Sequence, residues 1–398
     1  MRQLRAVAPA PWQLAADADA PHLVFIEIDS VLPLATSALG LGLERRGTDY
    51  LLRMSRSDLE RLAAELEQRG SRIATLLWRY LRPMKAWKLR SRALEMGTPY
   101  IMGIVNLTGD SFSGDGVGPD IDRALERAAQ LRDTGATIID VGAESARADR
   151  PVAESEQEAE LIGRAVGALV AEGHIVSADT YKAVVAAAAL NAGAEIINDI
   201  SGLTLGTGAA EEAMKAGAGY VLNYSYSAPK KRPAEPPAYS DVVAETNEWF
   251  GARLEELEGL GLTREAIVID PGIAFGKSHD EDLQVLRRLG EFGVHGQPLL
   301  LAHSRKNYIG SVTGVEPAVR DLETHLTTVL ALAMGASVLR VHDVGGTRRA
   351  LALAAAFFEA DSGAFGPDGE SWPWRAGADA NHMTRGEPEG PAPAGQRW

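Results

Sequence analysis

The sequence predicts an α/β protein: a (β/α)8 barrel preceded by a small α+β N-terminal domain and followed by a Gly- and Pro-rich tail. Two observations predict the barrel. From Ile101 onward, short apolar runs alternate eight times with amphipathic stretches, and eight such units in about 260 residues match the usual size of this fold. Polar residues come directly after the apolar runs, where parallel barrels carry their binding groups. An open, doubly wound sheet is the alternative, although no G-x-G-x-x-G turn opens a predicted helix.

The chain divides into three predicted parts. Residues 1–84 form the N-terminal α+β domain, residues 85–360 the barrel, and residues 361–398 a tail that we expect to be disordered. In the first part, the runs HLVFIEID and TDYLLRMS indicate strands. Ser57-Asp58-Leu59-Glu60 has the spacing of a helix capping box, and we expect Ser57 to begin a helix. We expect this domain to serve packing or dimerisation rather than chemistry.

A basic segment, residues 85–99, precedes the first barrel strand. Its lysines and arginines are interleaved with apolar residues, among them Trp87 and Leu89. Two interpretations stay open: a hairpin that plugs the lower end of the barrel, or a solvated basic connector.

The predicted barrel elements alternate regularly along the chain. The eight strands are IMGIV, TIIDVG, HIVSAD, AEIIND, GYVLNY, AIVID, PLLLAH and SVLRVHD. The amphipathic stretches between them include residues 122–134, 154–172, 181–191, 241–259, 280–289 and 321–334.

The composition limits the partners of the protein. With 398 residues, 45% of them hydrophobic, the chain can bury a full core. A formal net charge of -14 argues against a broad basic surface for nucleic acid or anionic membrane. The chain has no cysteine, which excludes disulfides, zinc–thiolate sites and thiol nucleophiles. We find neither a membrane-spanning run nor a signal peptide in the sequence, and we expect a cytoplasmic protein.

We expect a ligand site at the carboxyl ends of the strands, because polar side chains follow nearly every one of them. A single buried charge would indicate a structural ion pair, whereas a ring of charges indicates a ligand, since an unpaired buried charge is costly. The ring consists of Asn106, Glu144, Ser145, Arg147, Asp179, Asn198, Asp199, Asn223, Asp270, Ser304, Arg305, Lys306, Arg340, His342 and Asp343.

Part of this ring suits a flat, polar heterocycle. Asp179, Asn198 and Asp270, together with Lys306, offer both acceptors and donors in a deep position.

A second part of the ring suits a phosphate or diphosphate, because Asn106, Arg147, Arg340 and His342 supply donors near the rim. Carboxylates would stabilise positive charge on the heterocycle as diphosphate departs. Arg340, His342 and a magnesium ion would neutralise the leaving group.

Seven motifs, in this order, closely resemble those of the dihydropteroate synthase family, whose members are pterin-binding TIM barrels: MGIVNLTGDSFSGDG, IIDVGAESAR, SADTYK, INDISG, DPGIAFGK, SRKNYIG and LRVHDV. The resemblance implies transfer of 6-hydroxymethyl-7,8-dihydropterin from its diphosphate to p-aminobenzoate, in folate synthesis, with Mg2+ as cofactor and a homodimer as the assembly. It implies catalytic roles for Asp179, Lys306, Arg340 and His342, and pterin contacts from Asp179, Asn198, Asp270 and Lys306. It further implies diphosphate contacts from Asn106, Arg147, Arg340 and His342, with Mg2+ at Asn106, and an acceptor side formed by Ser304, Phe275, Ala146 and Arg147.

The chain departs from the family pattern mainly on the acceptor side. Gly109 stands where the family usually has proline, and Ala146 and Ala148 stand for threonine and proline. The fifth strand ends in 223–226, NYSY, instead of a Met-His-Met-like stretch. Three alternatives therefore stay open: a diverged paralogue that uses another acceptor, a pterin-dependent methyltransferase, and a non-catalytic pterin-binding protein.

Overall fold

The computed structural model describes residues 4–8, 22–27, 31–42, 44–46, 49–108, 116–144, 154–229 and 237–359. The predicted tail, 361–398, lies outside these residues, as do Gly109, Ala146, Arg147 and Ala148. The two boundaries between the three predicted parts stay a prediction.

A four-stranded antiparallel sheet and three helices form the first part of the chain. Its elements are β1 (Leu4–Ala8), β2 (His22–Glu27), α1 (Leu32–Leu39), β3 (Glu44–Arg46), β4 (Asp49–Met54), α2 (Arg56–Gln68) and α3 (Arg72–Leu81). The strand order is β1-β2-β4-β3. Helix α2 buries one apolar face, formed by Leu59, Leu62, Ala63 and Leu66, at the spacing that its sequence predicts.

The N-cap of α2 is Ser55, so the prediction that Ser57 begins this helix is wrong. Ser55 has extended backbone, and its side chain accepts a hydrogen bond from the Asp58 backbone amide at 3.2 Å. Arg56 is already helical and pairs with Glu60 one turn later at 3.1 Å. Ser55 also stands three residues before an acid, so the capping spacing fits both serines and did not distinguish them.

A short hairpin closes the lower end of the barrel, meaning the end at which its strands begin. Its strands are β5 (Ala86–Lys88) and β6 (Ala93–Glu95). Trp87 is fully buried, and its indole Nε1 donates to the Ala266 carbonyl at 2.9 Å. A Cβ at Gly219 would lie 2.8 Å from Leu89 Cδ2, so the hairpin fits only beside a glycine. The plug interpretation is confirmed, and that of a solvated connector is wrong.

Eight parallel strands form the closed barrel, which confirms the predicted fold class. They are β7 (Tyr100–Asn106), β8 (Ile138–Gly142), β9 (Ile175–Asp179), β10 (Ile196–Asp199), β11 (Gly219–Asn223), β12 (Ile267–Asp270), β13 (Leu299–Leu301) and β14 (Ala336–Val341). The helices are α4 (Ile121–Thr134), α5 (Ser155–Ala171), α6 (Ala183–Asn191), α7 (Gly208–Ala216), α8 (Val242–Leu260), α9 (His279–Arg287), α10 (Asn307–Thr313), α11 (Asp321–Ala333) and α12 (Val344–Glu359), with 3-10 turns at Arg264–Ala266, Leu289–His295 and Pro317–Val319. Within the described residues, no helix is both long and apolar enough to cross a membrane.

The first part of the chain packs beside the lower end of the barrel. Val294, in the 3-10 turn before β13, belongs to the same apolar cluster as α2 and α3. Arg79 of α3 pairs with Glu258 of α8 at 3.3 Å, and the Met84 amide donates to the Gly296 carbonyl at 2.7 Å. The first part of the chain therefore contacts the lower end of the barrel, and the polar strand-end residues lie at the opposite end.

Two layers of side chains fill the barrel interior, because every second residue of a strand points inward. The lower layer surrounds the hairpin and is apolar, with one residue from each strand: Met102, Ile138, Ile175, Ile196, Val221, Val268, Leu300 and Val338. The upper layer lies two residues further along each strand and consists of Ile104, Asp140, Ser177, Asn198, Asn223, Asp270, Ala302 and Arg340.

Candidate active site

The upper layer and the strand ends above it form the candidate active site. Two residues beyond the upper layer, the strand ends carry four of the predicted site residues: Asn106, Asp179, Ser304 and His342. Strand alternation therefore brings these four residues, and Asn198, Asn223, Asp270 and Arg340 of the upper layer, inward at two levels, as the sequence predicts for a barrel rim. Asp199 is out of phase with them, and its carboxylate accepts from the Ser201 amide at 2.7 Å and the Tyr220 hydroxyl at 2.6 Å, so its predicted place in the ring is wrong.

Arg340 links the two levels. Its Nε donates to Asp140 Oδ2 at 2.6 Å, and its Nη2 donates to Asp179 Oδ2 at 2.8 Å. Asn198 Nδ2 donates to the same oxygen of Asp140 at 3.2 Å. The structure thus joins Arg340, predicted on the diphosphate side, to Asp179 and Asn198, predicted on the pterin side.

Asp140 is a site residue that sequence reasoning missed. It is fully buried, and its Oδ1 has no hydrogen-bond partner among the described residues. Such a buried, unpaired acceptor is costly and indicates a ligand donor. Asp140 lies inside the run IIDVG rather than after it. The signal that could have found it is the strand period, because Asp140 is in phase with Ile138 of the lower layer.

Asp270 and Lys306 stand on the other side of the interior. Asp270 Oδ1 accepts from the Gly272 amide at 2.8 Å. Lys306 Nζ donates to the Ile273 carbonyl at 2.6 Å and lies 4.9 Å from the ring centroid of Phe275. The predicted pterin residue Lys306 therefore meets Phe275, which the family resemblance places on the acceptor side.

Burial changes the acidity of three of these groups. It raises the pKa of Asp179 to about 7, with Arg340 opposing the rise and Asp140 adding to it. Burial lowers the pKa of Lys306 to about 8, against the attraction of Asp270. Burial also raises the pKa of Asp270, which Lys306 opposes. The pKa values of Asp179 and Lys306 therefore lie near neutral pH, as is common at functional sites.

The turn 304–306 is held in a strained conformation by helix α11. Arg305 has a left-handed φ of 58°, which is uncommon for a residue with a side chain. Its guanidinium pairs with Asp321 through two hydrogen bonds of 2.7 and 2.8 Å, and its amide donates to Thr324 Oγ1 at 3.1 Å. Arg320 Nη1 donates to the carbonyls of Arg305 and Lys306 at 3.0 and 3.2 Å. Arg305 thus orients its two neighbours, Ser304 and Lys306.

Ser304 and His342 contact each other on adjacent strand ends. The His342 backbone amide donates to Ser304 Oγ at 3.3 Å, and His342 Nδ1 lies 2.9 Å from the same oxygen. The predicted acceptor residue Ser304 and the predicted diphosphate residue His342 are therefore neighbours.

Three further predicted residues have different outcomes. Asn106 lies half-buried at the end of β7. Arg147 and Ala146 lie outside the described residues, so their parts in the diphosphate and acceptor sides stay predictions.

The arrangement can bind a polar ring and stabilise charge of either sign. Asp140, Asn198 and Asp270 offer acceptors and one amide donor to the edge of a heterocycle. Asp179 places a carboxylate where a cation can develop, and Lys306 supplies an ammonium group nearby.

Comparison with known proteins identifies relatives of the whole barrel. Residues 102–342 match the model of the family described as pterin binding enzyme. The dihydropteroate synthase of Escherichia coli strain K12 is 36% identical over 269 residues, which cover 67% of this chain and 95% of that protein.

Two solved structures have the same fold. The dihydropteroate synthase of Yersinia pestis in complex with a sulfonamide drug gives a TM-score of 0.65 at 34% identity, covering 69% of this chain and 99% of that one. The dihydropteroate synthase of Thermus thermophilus in complex with 4-aminobenzoate gives 0.62 at 35% identity, covering 69% and 100%.

Proposed function

Since this chain belongs to the dihydropteroate synthase family and is a transferase of that kind, we propose that it joins 6-hydroxymethyl-7,8-dihydropterin diphosphate to p-aminobenzoate and releases diphosphate. The observation that carries the proposal is the network in which Arg340 bridges Asp140 and Asp179, with Asn198 bonded to Asp140. It combines acceptors for a pterin edge with a carboxylate for a developing cation.

In the proposed mechanism, the upper layer binds the pterin and Asp179 faces its reacting methylene group. The unpaired Oδ1 of Asp140 and the carboxylate of Asp270 accept from pterin N–H groups, and Lys306 donates to a ring acceptor. As the bond to diphosphate lengthens, the Asp179 carboxylate stabilises the positive charge on the pterin. Arg340 fixes that carboxylate by its hydrogen bond of 2.8 Å. The aromatic amine then attacks from the side of Phe275 and Ser304.

We include Mg2+ in the proposal, with Asn106 as its protein ligand. Among the described residues, no group of three or more His, Cys, Asp or Glu side chains could hold a metal ion. One amide oxygen at the rim nevertheless fits Mg2+, which keeps several waters and is bound chiefly through substrate phosphates. When bound, the ion would neutralise charge on the diphosphate.

We also propose a homodimer that pairs through α11. Leu322, Leu326 and Leu330 recur every four residues on this helix and are 76%, 64% and 55% exposed. Leu353 of the adjacent α12 is 73% exposed. Such an apolar stripe supports pairing with a second copy of the chain. Leu326→Glu should convert the dimer to a monomer in light scattering after size exclusion, and a wild-type monomer would refute the pairing.

A cytoplasmic location is part of the proposal and can be tested by cell fractionation.

The reaction is tested by measuring diphosphate release from the dihydropterin diphosphate with Mg2+, with and without p-aminobenzoate. We expect release that requires p-aminobenzoate and yields dihydropteroate. A sulfonamide should compete with p-aminobenzoate and raise its KM without lowering kcat.

The same assay separates the alternatives. Release that another amine supports better than p-aminobenzoate would indicate the diverged paralogue. Tight pterin binding without any release would indicate a non-catalytic binder. Demethylation of a methylated pterin by a cobalamin carrier would indicate the methyltransferase.

A further inference from the structure

The segment 271–276, between β12 and α9, has an unusual backbone. Gly272, Ala274 and Gly276 have left-handed φ angles of 66°, 68° and 75°. The segment follows Asp270 and carries Phe275, and its Ile273 carbonyl accepts from Lys306. Left-handed backbone at an alanine persists only where the surroundings impose it. Contacts with neighbouring residues must therefore hold segment 271–276 in its left-handed backbone conformation.

Lys277 supplies much of that restraint. Its Nζ donates to the carbonyls of Pro271 at 2.9 Å and Gly272 at 3.0 Å. With Lys306 on Ile273, three consecutive carbonyl oxygens accept from two lysines. Replacing Lys277 by an apolar residue would leave two of these carbonyls without their ammonium donor.

Two tyrosines secure Lys277 and the far end of the segment. Lys277 Nζ lies 3.8 Å from the ring centroid of Tyr224, within the range of a cation–π interaction. Tyr239 OH donates its one hydrogen to the Gly276 carbonyl at 3.1 Å. Tyr224 is therefore the donor in the hydrogen bond of 2.8 Å between the two tyrosine hydroxyls. Tyr224 lies in the stretch 223–226, at which the chain departs from the family pattern, and its ring holds the Lys277 ammonium group there.

Helix α9 adds a further restraint. Asp282 Oδ1 accepts from the Ala274 amide at 2.8 Å, at the middle of the segment. The segment is thus fixed at its start by Lys277, in its middle by Asp282 and at its end by Tyr239.

We propose that Lys277 is a positioning residue for the synthase reaction: it holds segment 271–276 so that Phe275 and the Ile273 carbonyl lie beside Lys306. Lys277 acts through these groups, and its ammonium hydrogen bonds end on backbone oxygens. This inference rests on the proposed function, because it assigns Phe275 to the acceptor side.

The test compares Lys277→Met and Lys277→Arg with wild type. Lys215→Met is the matched control, because Lys215 is an exposed lysine on α7 whose ammonium pairs with Glu212 at 2.7 Å. Calorimetry gives the Kd of the dihydropterin diphosphate, and steady-state kinetics give kcat and the KM of p-aminobenzoate. We expect Lys277→Met to raise both Kd and KM at least tenfold, with a smaller change in kcat. Lys277→Arg should recover most of the loss, since it keeps a charged donor, and Lys215→Met should match wild type.

Two results would overturn the proposal. One is a Lys277→Met enzyme whose Kd and KM stay within twofold of wild type. The other is equal loss in both Lys277 variants that follows only the folded fraction, which would make Lys277 purely structural. If Lys277→Met does not fold, Lys277→Gln replaces it, and the same tenfold and twofold limits on Kd and KM apply. If Lys277→Gln does not fold either, Tyr224→Leu, which removes the ring beneath the ammonium group, replaces both. If the wild type turns over no p-aminobenzoate, the proposed function fails, but the Kd comparison still decides the role of Lys277.

Discussion

The lower layer of the barrel interior is apolar and packed around Trp87, whereas the upper layer, two residues further along the same strands, carries carboxylates, amides and an arginine. The lower layer has its packing partners within the chain. The upper layer includes buried polar atoms, such as Asp140 Oδ1 and Ser177 Oγ, that have no partner among the described residues. The same backbone geometry therefore serves stability at one level and binding at the next, and substitutions should separate the two.

The largest expected effect is on catalysis, from Lys306→Ala in the site. We expect kcat/KM to fall about 10³-fold, which is typical when a preorganised donor is removed from an active site. The free energy of unfolding should fall little, because the substitution also removes a buried ammonium group whose pKa is lowered by burial. The measurements are steady-state kinetics and urea unfolding.

The matched control for Lys306→Ala is Leu300→Ala, in the lower layer of β13. It should lose about 2–5 kcal/mol of stability and keep its kcat/KM when folded. A Lys306→Ala enzyme within tenfold of wild type would contradict the role of Lys306.

Trp87→Ala should produce the largest loss of stability. Trp87 is fully buried in the plug, and truncation of a buried aromatic side chain costs about 3–5 kcal/mol. Catalysis by the folded fraction should not change, because the plug lies at the end of the barrel opposite the site. Urea unfolding checks the first statement and kinetics well below the unfolding midpoint check the second. Trp78→Ala, at a half-buried tryptophan on α3, is the control and should cost less; equal losses would mean that the plug adds no special stability.

The upper layer should also give the enzyme a bell-shaped pH profile. Asp179, with a pKa of about 7, must be ionised to stabilise a cation, so kcat/KM should rise about tenfold per pH unit below 7. Lys306, with a pKa of about 8, must stay protonated to donate, so kcat/KM should fall above 8. Asp179→Asn should abolish the acid limb while the alkaline limb remains. A wild-type profile that is flat from about pH 5.5 to 9 would contradict both assignments.

Strand and rim positions were predictable from the sequence, because they depend on local patterns. The eight apolar runs became the eight strands, and the side chains placed at their ends, including Asp179, Asn198 and Asp270, lie at the carboxyl end of the barrel. Trp87 and Leu89, interleaved with basic residues, left two interpretations open. Only the closed barrel supplies the apolar interior that makes the hairpin a plug.

Contacts between distant segments could not be read from the sequence. Asp140 and Arg340 are 200 residues apart, and their pairing depends on closure of the barrel. Lys277 looks like a surface lysine in a glycine-rich loop, and its contacts depend on the fold of that loop and on Tyr224. The sequence signals for these residues are weak because a strand-internal acid or a loop lysine has many ordinary roles.

The smallest effect is expected for Ser177→Ala, which tests most directly whether the upper layer serves binding and the lower layer stability. Ser177 lies beside Asp140 in register on β9, and its buried Oγ has no hydrogen-bond partner within the described part of the chain. Ser177→Ala removes this unpaired hydroxyl, so stability should rise by about 1 kcal/mol. If the hydroxyl meets the pterin, the Kd of the dihydropterin diphosphate should rise severalfold at the same time. Urea unfolding and calorimetry measure the two effects. A Ser177→Ala variant that is more stable but binds the dihydropterin diphosphate less well is the result expected of a binding layer. Loss of stability with unchanged binding would mean that Ser177 serves packing, as the residues of the lower layer do.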